Sequence, residues 1–254
     1  MTFATYPSLA GRAVFVSGGA TGIGADILRA FVRNHARVAF CDLNADAGER
    51  LAKQLVGTGE TALFLQCDVT DILALQAAIG QARDALGPIA ALVNNAANDE
   101  RRAADEITVA YWDHAQNVNL RHHFFAAQAV RPQMRELGFG SIVNLSSIAW
   151  RAGASEMPAC SAAKAGVVGL THALARAFGA DNIRVNAIEP GAVMTDRQRQ
   201  LWYKTPESVE AIMQRQSIKA TLLGEDVARA ALFLAADDSR MITKQSLTVD
   251  AGLR

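Results

Sequence analysis

Three glycines stand between the first apolar run of the chain and a segment with helical periodicity. Gly18, Gly22 and Gly24 lie in the stretch VFVSGGATGIGADILRAF. Glycines here allow a tight turn, close approach of the backbone to a phosphate and close packing of helix on sheet, while the helix N-terminus offers N–H groups and positive dipole potential. A dinucleotide pyrophosphate fits these features, although a simple tight turn between strand and helix fits them too.

A carboxylate follows at the distance that a dinucleotide site needs. Asp42 ends the second apolar run, 18 residues after Gly24, near the spacing at which an acidic side chain accepts hydrogen bonds from the adenosine ribose. An aspartate at this place repels a 2′-phosphate, so the sequence predicts NAD rather than NADP. The turn lacks the Gly-Lys-Ser/Thr ending of a P-loop, which argues against an NTP-cleaving protein.

Cys160 and Lys164 are the second group of residues that could do chemistry. They lie four residues apart in MPACSAAKAG, on one face of a predicted helix. A nearby ammonium lowers the pKa of a group that becomes anionic, and a cysteine with a lowered pKa is a nucleophile. No histidine lies in the neighbouring sequence to activate this thiol.

The elements that must position these residues alternate along the chain. Strands are predicted for seven short β-favouring runs, at 13–17, 37–41, 62–66, 91–95, 141–145, 184–188 and 246–249. Segments with helical periodicity separate them, as in 71–86, where Asp71 can cap the first turn. The pattern predicts a doubly wound, mostly parallel α/β sheet of the Rossmann type with helices on both faces. We expect one domain over 1–254, with a mobile lid at 191–220 over the site.

Composition limits the classes of partner. The chain has 254 residues, half of them apolar, and 25 basic against 25 acidic side chains, so it lacks the one-sided charge of a nucleic-acid-binding protein. The three cysteines are far apart and no Cys/His cluster has metal-ligand spacing, so no metal site is predicted. No apolar run reaches the roughly 18 residues of a membrane span, and no signal peptide is recognisable. We expect a cytoplasmic protein with a small-molecule substrate.

In combination, the motifs closely resemble those of the short-chain dehydrogenase/reductase family. The turn SGGATGIG resembles the family's TGxxxGxG, with Ser17 in place of threonine. The other motifs follow in order, as CDV (67–69), NNAA (94–97), NVNL (117–120), IVNLSSIAW (142–150), CSAAK (160–164) and EPGAVMT (189–195). The resemblance covers nearly the whole chain. NNAANDERR, AYWDHAQNVNLRHHFF and the lid are most similar to bacterial sugar dehydrogenases that oxidise pentoses or related aldoses at C1.

This resemblance implies roles for individual residues. The catalytic positions would be Asn119, Ser147, residue 160 and Lys164. Ser147 would orient the substrate oxygen, Lys164 would hold the nicotinamide ribose and lower the pKa of its neighbour, and Asn119 would anchor a water-mediated proton exit. The implied cofactor-binding residues are Gly18, Thr21, Gly22, Ile23, Gly24, Asp42, Leu43, Asp68, Val69, Asn94, Ala96, Lys164, Pro190, Gly191, Val193 and Thr195.

At position 160 the family's catalytic tyrosine is replaced by cysteine. The register is fixed, because Cys160 follows Ser147 by 13 residues and SAAKAG continues as the family does. A thiol lacks the ring that carries a hydroxyl out to the substrate, so we expect impaired proton transfer. Three interpretations stay open: a dehydrogenase whose tyrosine was exchanged, with binding intact and chemistry weakened; a natural cysteine variant with residual activity through water or Lys164; and a non-catalytic NAD-binding sensor or scaffold.

Substrate specificity is predicted from aromatic and polar residues at strand ends and on the lid. A polyol pocket needs an aromatic face against sugar C–H groups and polar groups for the hydroxyls. The candidates are Asn98, Ser147, Trp150, Arg151, Glu189, Arg197, Gln198 and Trp202. The favoured reaction oxidises an aldose at C1 to a lactone. Arg151 would also suit a substrate carboxylate, which keeps open a 2-keto-3-deoxy sugar acid oxidised at a secondary alcohol.

Other polar residues are predicted to be structural. His122 and His123 resemble a metal pair only superficially, because adjacent helix positions point apart, and we interpret them as packing or interface residues. Cys41 and Cys67 are predicted to be small buried hydrophobes. The small-residue helices predicted over 108–136 and 158–180 are candidates for subunit contacts. By the family resemblance we expect a homodimer or homotetramer.

Overall fold

The structure is a computed structural model that describes residues 3–56 and 61–253. In this part of the chain seven strands form one sheet of order β3-β2-β1-β4-β5-β6-β7, and every neighbouring pair is parallel. The strands are β1 Ala13–Ser17, β2 Arg37–Asp42, β3 Ala62–Gln66, β4 Ile89–Asn94, β5 Gly140–Leu145, β6 Ile183–Pro190 and β7 Ser246–Val249. The predicted Rossmann-type sheet is therefore confirmed.

Helices cover both faces of this sheet. In chain order they are α1 Gly22–Arg33, α2 Ala45–Val56, α3 Ile72–Leu86, α4 Val109–Gln116, α5 His122–Leu137, α6 Ala149–Ala152, α7 Pro158–Phe178, α8 Asp196–Leu201, α9 Pro206–Arg215 and α10 Gly224–Ala235. The helices α1, α2 and α10 share one core with the sheet, whereas α3, α5 and α7 share a second core on the opposite face.

The strands are apolar throughout because both of their faces are covered. Val14 and Val16 of β1 pack into the core under α1 and α10, while Ala13 and Phe15 pack into the core under α3 and α5. Successive side chains of a strand point to opposite faces, so a strand covered on both sides needs an unbroken apolar run.

All functional motifs meet at one edge of the sheet. Parallel strands end on the same side, and the strand order reverses between β1 and β4, where doubly wound sheets open a crevice for ligands. The segments 17–24, 94–98, 146–151 and 189–195 follow β1, β4, β5 and β6, so their residues converge at this crevice.

The long helix predicted over 108–136 is interrupted. A π-helical turn, Asn117–Arg121, separates α4 from α5. Within it the amide Nδ2 of Asn119 donates to the carbonyl oxygen of Ala115 at 3.0 Å. Such a side-chain bond competes with the regular helical ladder, and π turns of this kind are frequent at functional sites.

The stretch 191–220 is more regular than its composition predicts, because it contains the short helices α8 and α9. Each begins with a threonine cap. The Oγ1 atoms of Thr195 and Thr205 accept the backbone N–H groups of Gln198 and Ser208, both at 3.3 Å. These caps are readable in the sequence, but the two helices bury no residue fully.

The glycine-rich turn is set by contacts that exclude a side chain. Gly18 has a φ of +66°, and a Cβ atom there would lie 2.6 Å from the Cα of Ala96. A Cβ on Gly24 would lie 2.0 Å from the carbonyl oxygen of Gly18. The turn between β1 and α1 can therefore keep its shape only with glycine at these two positions.

Substitution of Gly24 by alanine should destabilise the fold, because the new methyl group meets a backbone atom that cannot move aside. We expect Gly24→Ala to lower the free energy of unfolding by about 2 kcal/mol. Gly80→Ala, in α3 with nothing within 4 Å of the added Cβ, is the matched control and should raise it by about 0.5–1 kcal/mol. Equilibrium urea unfolding of both variants measures this, and equal effects would contradict the tight-turn argument.

Candidate active site

Asp42 lies beside the glycine-rich turn, as its spacing predicts. Its Oδ2 accepts the backbone N–H of Ala20 at 2.9 Å, and its Oδ1 accepts that of Asn44 at 3.0 Å. The turn is tied to the same strand by the N–H of Gly18, which donates to the carbonyl oxygen of Cys41 at 2.8 Å. A carboxylate is thus fixed next to the start of α1.

The residues present fit a bound dinucleotide. Thr21 caps α1 with extended backbone, and its side chain makes no capping hydrogen bond, so the first N–H groups of the helix stay available for an anion. Gly22 begins the helix with a φ of +56°, and Thr195 faces it, since Thr195 Cγ2 lies 3.4 Å from the position of a Cβ on Gly22. Segment 193–195 therefore closes the other side of the crevice.

The remaining predicted cofactor residues lie at the same edge of the sheet. Their exposure varies with their place: Leu43 and Asp68 are exposed, Ile23, Ala96 and Gly191 are half-buried, and Val69, Pro190 and Val193 are buried. Asn94 requires a correction. It is fully buried, and its Nδ2 donates to Asn144 Oδ1 at 2.9 Å, so its side chain joins β4 to β5 instead of reaching a ligand.

Lys164 is buried at the centre of the candidate site. Its Nζ donates to the carbonyl oxygen of Leu145 at 2.7 Å, and Ser146 Oγ donates to the carbonyl oxygen of Lys164 at 2.8 Å. These two bonds attach α7 to the end of β5, two residues before the half-buried Ser147. Burial lowers the pKa of Lys164, because a low-dielectric surrounding disfavours the charged form.

Cys160 is buried one helical turn before Lys164. Burial raises the pKa of its thiol, Lys164 opposes this rise, and the negative charge of Asp99 adds to it. Desolvation is the largest of these effects, so the thiol stays protonated near neutral pH. Cys160 is therefore not the activated thiolate nucleophile that its spacing from Lys164 allows.

Asn119 is anchored to the loop after β4. Its Oδ1 accepts the backbone N–H of Asn98 at 3.0 Å, in addition to the bond from its Nδ2 to Ala115. A polar residue in this helix was expected to have a functional role. In the structure both the oxygen and the nitrogen of its amide make hydrogen bonds. The π turn thus fixes the position of Asn98, which lies in the half-buried loop facing the site.

His122 and His123 pack against each other, which corrects the prediction that their side chains point apart. The ring centroids are 4.3 Å apart and both residues are fully buried. Both rings turn into the same gap between helix and sheet, where His122 Nε2 lies 3.1 Å from Ala96 O and His123 Nδ1 lies 3.4 Å from Asn144 Oδ1. Burial, aided by Lys164, lowers the pKa of His122 to about 3.

Arg151, predicted to contact the substrate, forms an ion pair that was not predicted. Arg151 Nε and Nη2 donate to Glu189 Oε2 and Oε1 at 2.7 Å and 3.0 Å. The guanidinium also stacks on Trp150, 4.2 Å from the ring centroid. Glu189 is fully buried, so it does not line a pocket as predicted. Instead, it holds Arg151.

The lid residues are attached to the loop after β4. Arg197 Nε donates to Asp99 Oδ1 at 2.9 Å, Gln198 also bonds Asp99, and Arg197 Nη2 lies 3.3 Å from Asn98 Oδ1. Trp202 stacks under the guanidinium of Arg101 at 4.2 Å. Asp99 and Arg101 were not assigned a role from sequence, although the charged stretch NDERR directly after β4 is the signal that points to them.

Over the described residues, no group of three or more His, Cys, Asp or Glu side chains is arranged to hold a metal ion. In the same part of the chain no helix has the length and apolarity needed to cross a membrane. Cys41 and Cys67 are buried free thiols, which confirms the prediction for them.

Comparison with known proteins places the chain among oxidoreductases. A family model described as enoyl-(acyl carrier protein) reductase matches residues 18–254. The chain is 46% identical over 249 residues to "Probable galactose dehydrogenase GalD" of Rhizobium meliloti (strain 1021), covering 98% of this chain and 97% of that one. It is 41% identical over 254 residues to D-xylose 1-dehydrogenase of Caulobacter vibrioides (strain NA1000 / CB15N), covering 100% of both.

A solved structure agrees with this placement. The 3-oxoacyl-(acyl-carrier protein) reductase from Brucella melitensis ATCC 23457 superposes with a TM-score of 0.91 at 32% identity, covering 100% of this chain and 97% of that one. The fold and the crevice thus define a dehydrogenase built on a parallel Rossmann-type sheet. The chain belongs to the short-chain dehydrogenase/reductase family.

The buried histidines should make stability depend on pH. An unfolded histidine binds a proton near pH 6.5, whereas His122 does so only at about pH 3 in the fold. The unfolded state therefore binds more protons between these values, so the stability contributed above pH 6.5 is lost as the pH falls toward 3. At pH 5 the loss from this one group is about 2 kcal/mol.

The variant His122→Gln removes this titration and keeps an N–H donor for Ala96. We expect the difference in unfolding free energy between pH 7 and pH 5 to shrink by about 2 kcal/mol, measured by urea unfolding. The exposed His172 gives the matched control, because His172→Gln should leave the difference unchanged. An unchanged difference in His122→Gln would show that His122 is not held neutral by burial.

Proposed function

We propose that this protein is an NAD-linked sugar dehydrogenase that oxidises the C1 hydroxyl of an aldose to a lactone, with chemistry weakened by Cys160 at the position of the family's tyrosine. The observation that carries the proposal is the full-length similarity to D-xylose 1-dehydrogenase at 41% identity. The galactose dehydrogenase relative supports the same substrate class. The lid at 191–220 would cover the bound sugar.

Asp42 supports NAD as the cofactor. Its carboxylate is fixed beside the start of α1 by two backbone N–H groups, where the adenosine ribose of a dinucleotide would lie. A ribose 2′-hydroxyl can donate to the carboxylate, whereas a 2′-phosphate would be repelled by it. The free N–H groups at the start of α1 would hold the pyrophosphate.

The residues around Lys164 would position the reacting groups. A nicotinamide held there would supply the acceptor for the hydride of the substrate carbon. Ser147 would hydrogen-bond the substrate hydroxyl at the end of β5. The buried ammonium of Lys164, with three donors and one of them used by Leu145, keeps donors for the ribose hydroxyls. Its positive charge would also favour the anion that forms as the substrate proton leaves.

Cys160 would leave this site without an effective base. The thiol is buried, its pKa is raised, and it lacks the ring that carries the hydroxyl of a tyrosine toward the substrate. General base catalysis contributes typically 10²–10⁴-fold to an enzymatic rate. We therefore propose that binding is retained while turnover is slow, with the substrate proton passing to water or through Lys164.

Restoring the tyrosine should restore the rate. We expect Cys160→Tyr to raise sugar-dependent NADH formation by about 100-fold or more, measured by absorbance with D-xylose and D-galactose. Cys160→Phe is the matched control, because it adds the ring without the hydroxyl, and it should give no gain. If all three proteins bind NAD and none turns over any sugar, a non-catalytic NAD-binding sensor replaces the enzyme as the better interpretation.

The cofactor choice is tested at Asp42. In Asp42→Asn the charge is lost while an oxygen remains for the N–H of Ala20, so we expect the preference for NAD over NADP, measured as the ratio of dissociation constants by calorimetry, to fall by about tenfold. The exposed Asp46 provides the control, since Asp46→Asn should leave the ratio unchanged. An unaltered ratio in Asp42→Asn would contradict the assignment of the ribose to this carboxylate.

Assembly and location complete the proposal. The relatives imply a small-molecule sugar partner, and we propose that the chain acts as a homodimer or homotetramer in the cytoplasm. The helices α4 and α5 support subunit contacts, because Trp112 and Phe124 on them are both 40% exposed, which is more apolar surface than a solvated helix face needs.

A further inference from the structure

Four arginines, two in the loop after β4, one in α6 and one in α8 of the lid, each have an acidic partner. The pairs are Arg101–Glu156, Arg102–Glu100, Arg151–Glu189 and Arg197–Asp99, with N–O distances of 2.8, 2.8, 2.7 and 2.9 Å. The electrostatic potentials of two opposite charges this close together largely cancel at distances well beyond their separation. These four pairs therefore offer hydrogen-bond donors without adding net positive charge.

The Arg151–Glu189 pair differs from the other three. Its carboxylate is fully buried, whereas the partner carboxylates of the other pairs keep 27–64% of their side-chain surface exposed. An exposed ion pair is weak and opens easily, but a buried carboxylate without its partner is strongly disfavoured. Arg151 is thus held in place by Glu189, while 37% of its own side chain faces the outside.

The geometry also determines which part of Arg151 remains available to a ligand. Glu189 occupies the edge formed by Nε and Nη2, which is one of the two guanidinium edges that bind a carboxylate in a bidentate manner. Trp150 covers one face of the guanidinium. The free edge can donate to a neutral hydroxyl, but a second carboxylate brought there would approach the buried charge of Glu189.

We propose that the Arg151–Glu189 pair determines the charge specificity of the site, by admitting neutral sugars and excluding sugar acids. The inference rests on the proposed sugar-dehydrogenase function, since it specifies the substrate class of that same site. The proposal excludes a sugar acid as the substrate, the alternative that Arg151 considered by itself leaves open. The reason is that Glu189 already matches the charge of the guanidinium.

The same pair has a consequence for the product. Oxidation of an aldose at C1 gives a neutral lactone, which water then hydrolyses: the water oxygen bonds to C1, the ring C–O bond breaks, the ring oxygen takes up a proton, and the acid formed releases one proton to solvent. The aldonate that results carries the kind of carboxylate that an unmatched Arg151 would retain. Because Arg151 is already paired with Glu189, it does not retain the aldonate. A lactone-hydrolysing reaction can therefore follow without its product inhibiting this site.

The test measures binding and does not depend on turnover. D-Galactose and D-galactonate are titrated by calorimetry into the full-length protein saturated with NAD. The variant Glu189→Gln keeps the volume of the side chain and removes its charge. We expect no binding of D-galactonate to the unmodified protein and a gain of about tenfold or more in its affinity for Glu189→Gln, with the affinity for D-galactose changed less than threefold.

Two further variants make the result specific. In Glu189→Gln combined with Arg151→Gln the gain should disappear, because the guanidinium that binds the carboxylate is absent. Glu136→Gln, which frees Arg83 in a surface pair between α3 and α5, should bind neither ligand differently. Thermal melting and NAD binding show whether each variant is folded.

The outcomes separate the two proposals. Tight binding of D-galactonate to the unmodified protein, or a folded Glu189→Gln without gain, overturns the charge-specificity proposal. If Glu189→Gln does not fold, the comparison of the two ligands on the unmodified protein still decides it. If D-galactonate behaves as expected but D-galactose and D-xylose bind to no variant, the pair excludes carboxylates as proposed and the sugar-dehydrogenase function is the part that fails.

Discussion

The buried ammonium of Lys164 is the constraint on which the rest of the site depends. It lies 5% exposed between α7 and the end of β5 and donates to the carbonyl oxygen of Leu145. A charge in such a place disfavours every other positive charge nearby. His122 and His123 are neutral chiefly because both are buried, and the charge of Lys164 lowers the pKa of both further. The polar groups behind the site therefore act as neutral hydrogen-bonding partners.

On the open side of the crevice, positive charges are balanced by carboxylates. Four arginines there are matched by carboxylates, and in three of these pairs the carboxylate comes from a different segment, as Glu189 does for Arg151 and Asp99 for Arg197. The result is a site with the buried ammonium of Lys164 at its base and ion pairs at its mouth. Such a distribution favours an uncharged ligand whose anionic character develops only during the reaction.

The sequence predicts the parts of this protein that depend on local patterns. The strands, the glycine-rich turn and the place of Asp42 follow from apolar runs and fixed spacings, because a parallel sheet covered on both faces constrains each strand by itself. The π turn Asn117–Arg121 was not predicted, since the bond from Asn119 to Ala115 that accompanies it leaves no trace in apolar periodicity.

Contacts between distant segments were not predictable from one sequence. Arg151 and Glu189 are 38 residues apart, and Arg197 and Asp99 are 98 apart, so nothing local indicates that they meet. Asn94 and Glu189 were assigned to ligand contact because they end strands at the crevice. A residue at a strand end can point toward the ligand or into the protein, and only the packing of neighbouring strands decides which.

The residues that would bind the cofactor are held in place by contacts that do not involve the proton-transfer position, residue 160. The bonds that hold Lys164 come from Leu145 and Ser146 on β5 and the segment after it, and those that hold Asp42 come from Ala20 and Asn44. None of these bonds involves position 160. A cysteine there is accommodated as a small buried residue of α7, so the groups that would bind a dinucleotide keep their geometry. In the proposed reaction the loss would fall on one step alone, the transfer of the substrate proton, because that step needs an atom that a thiol cannot bring to the substrate.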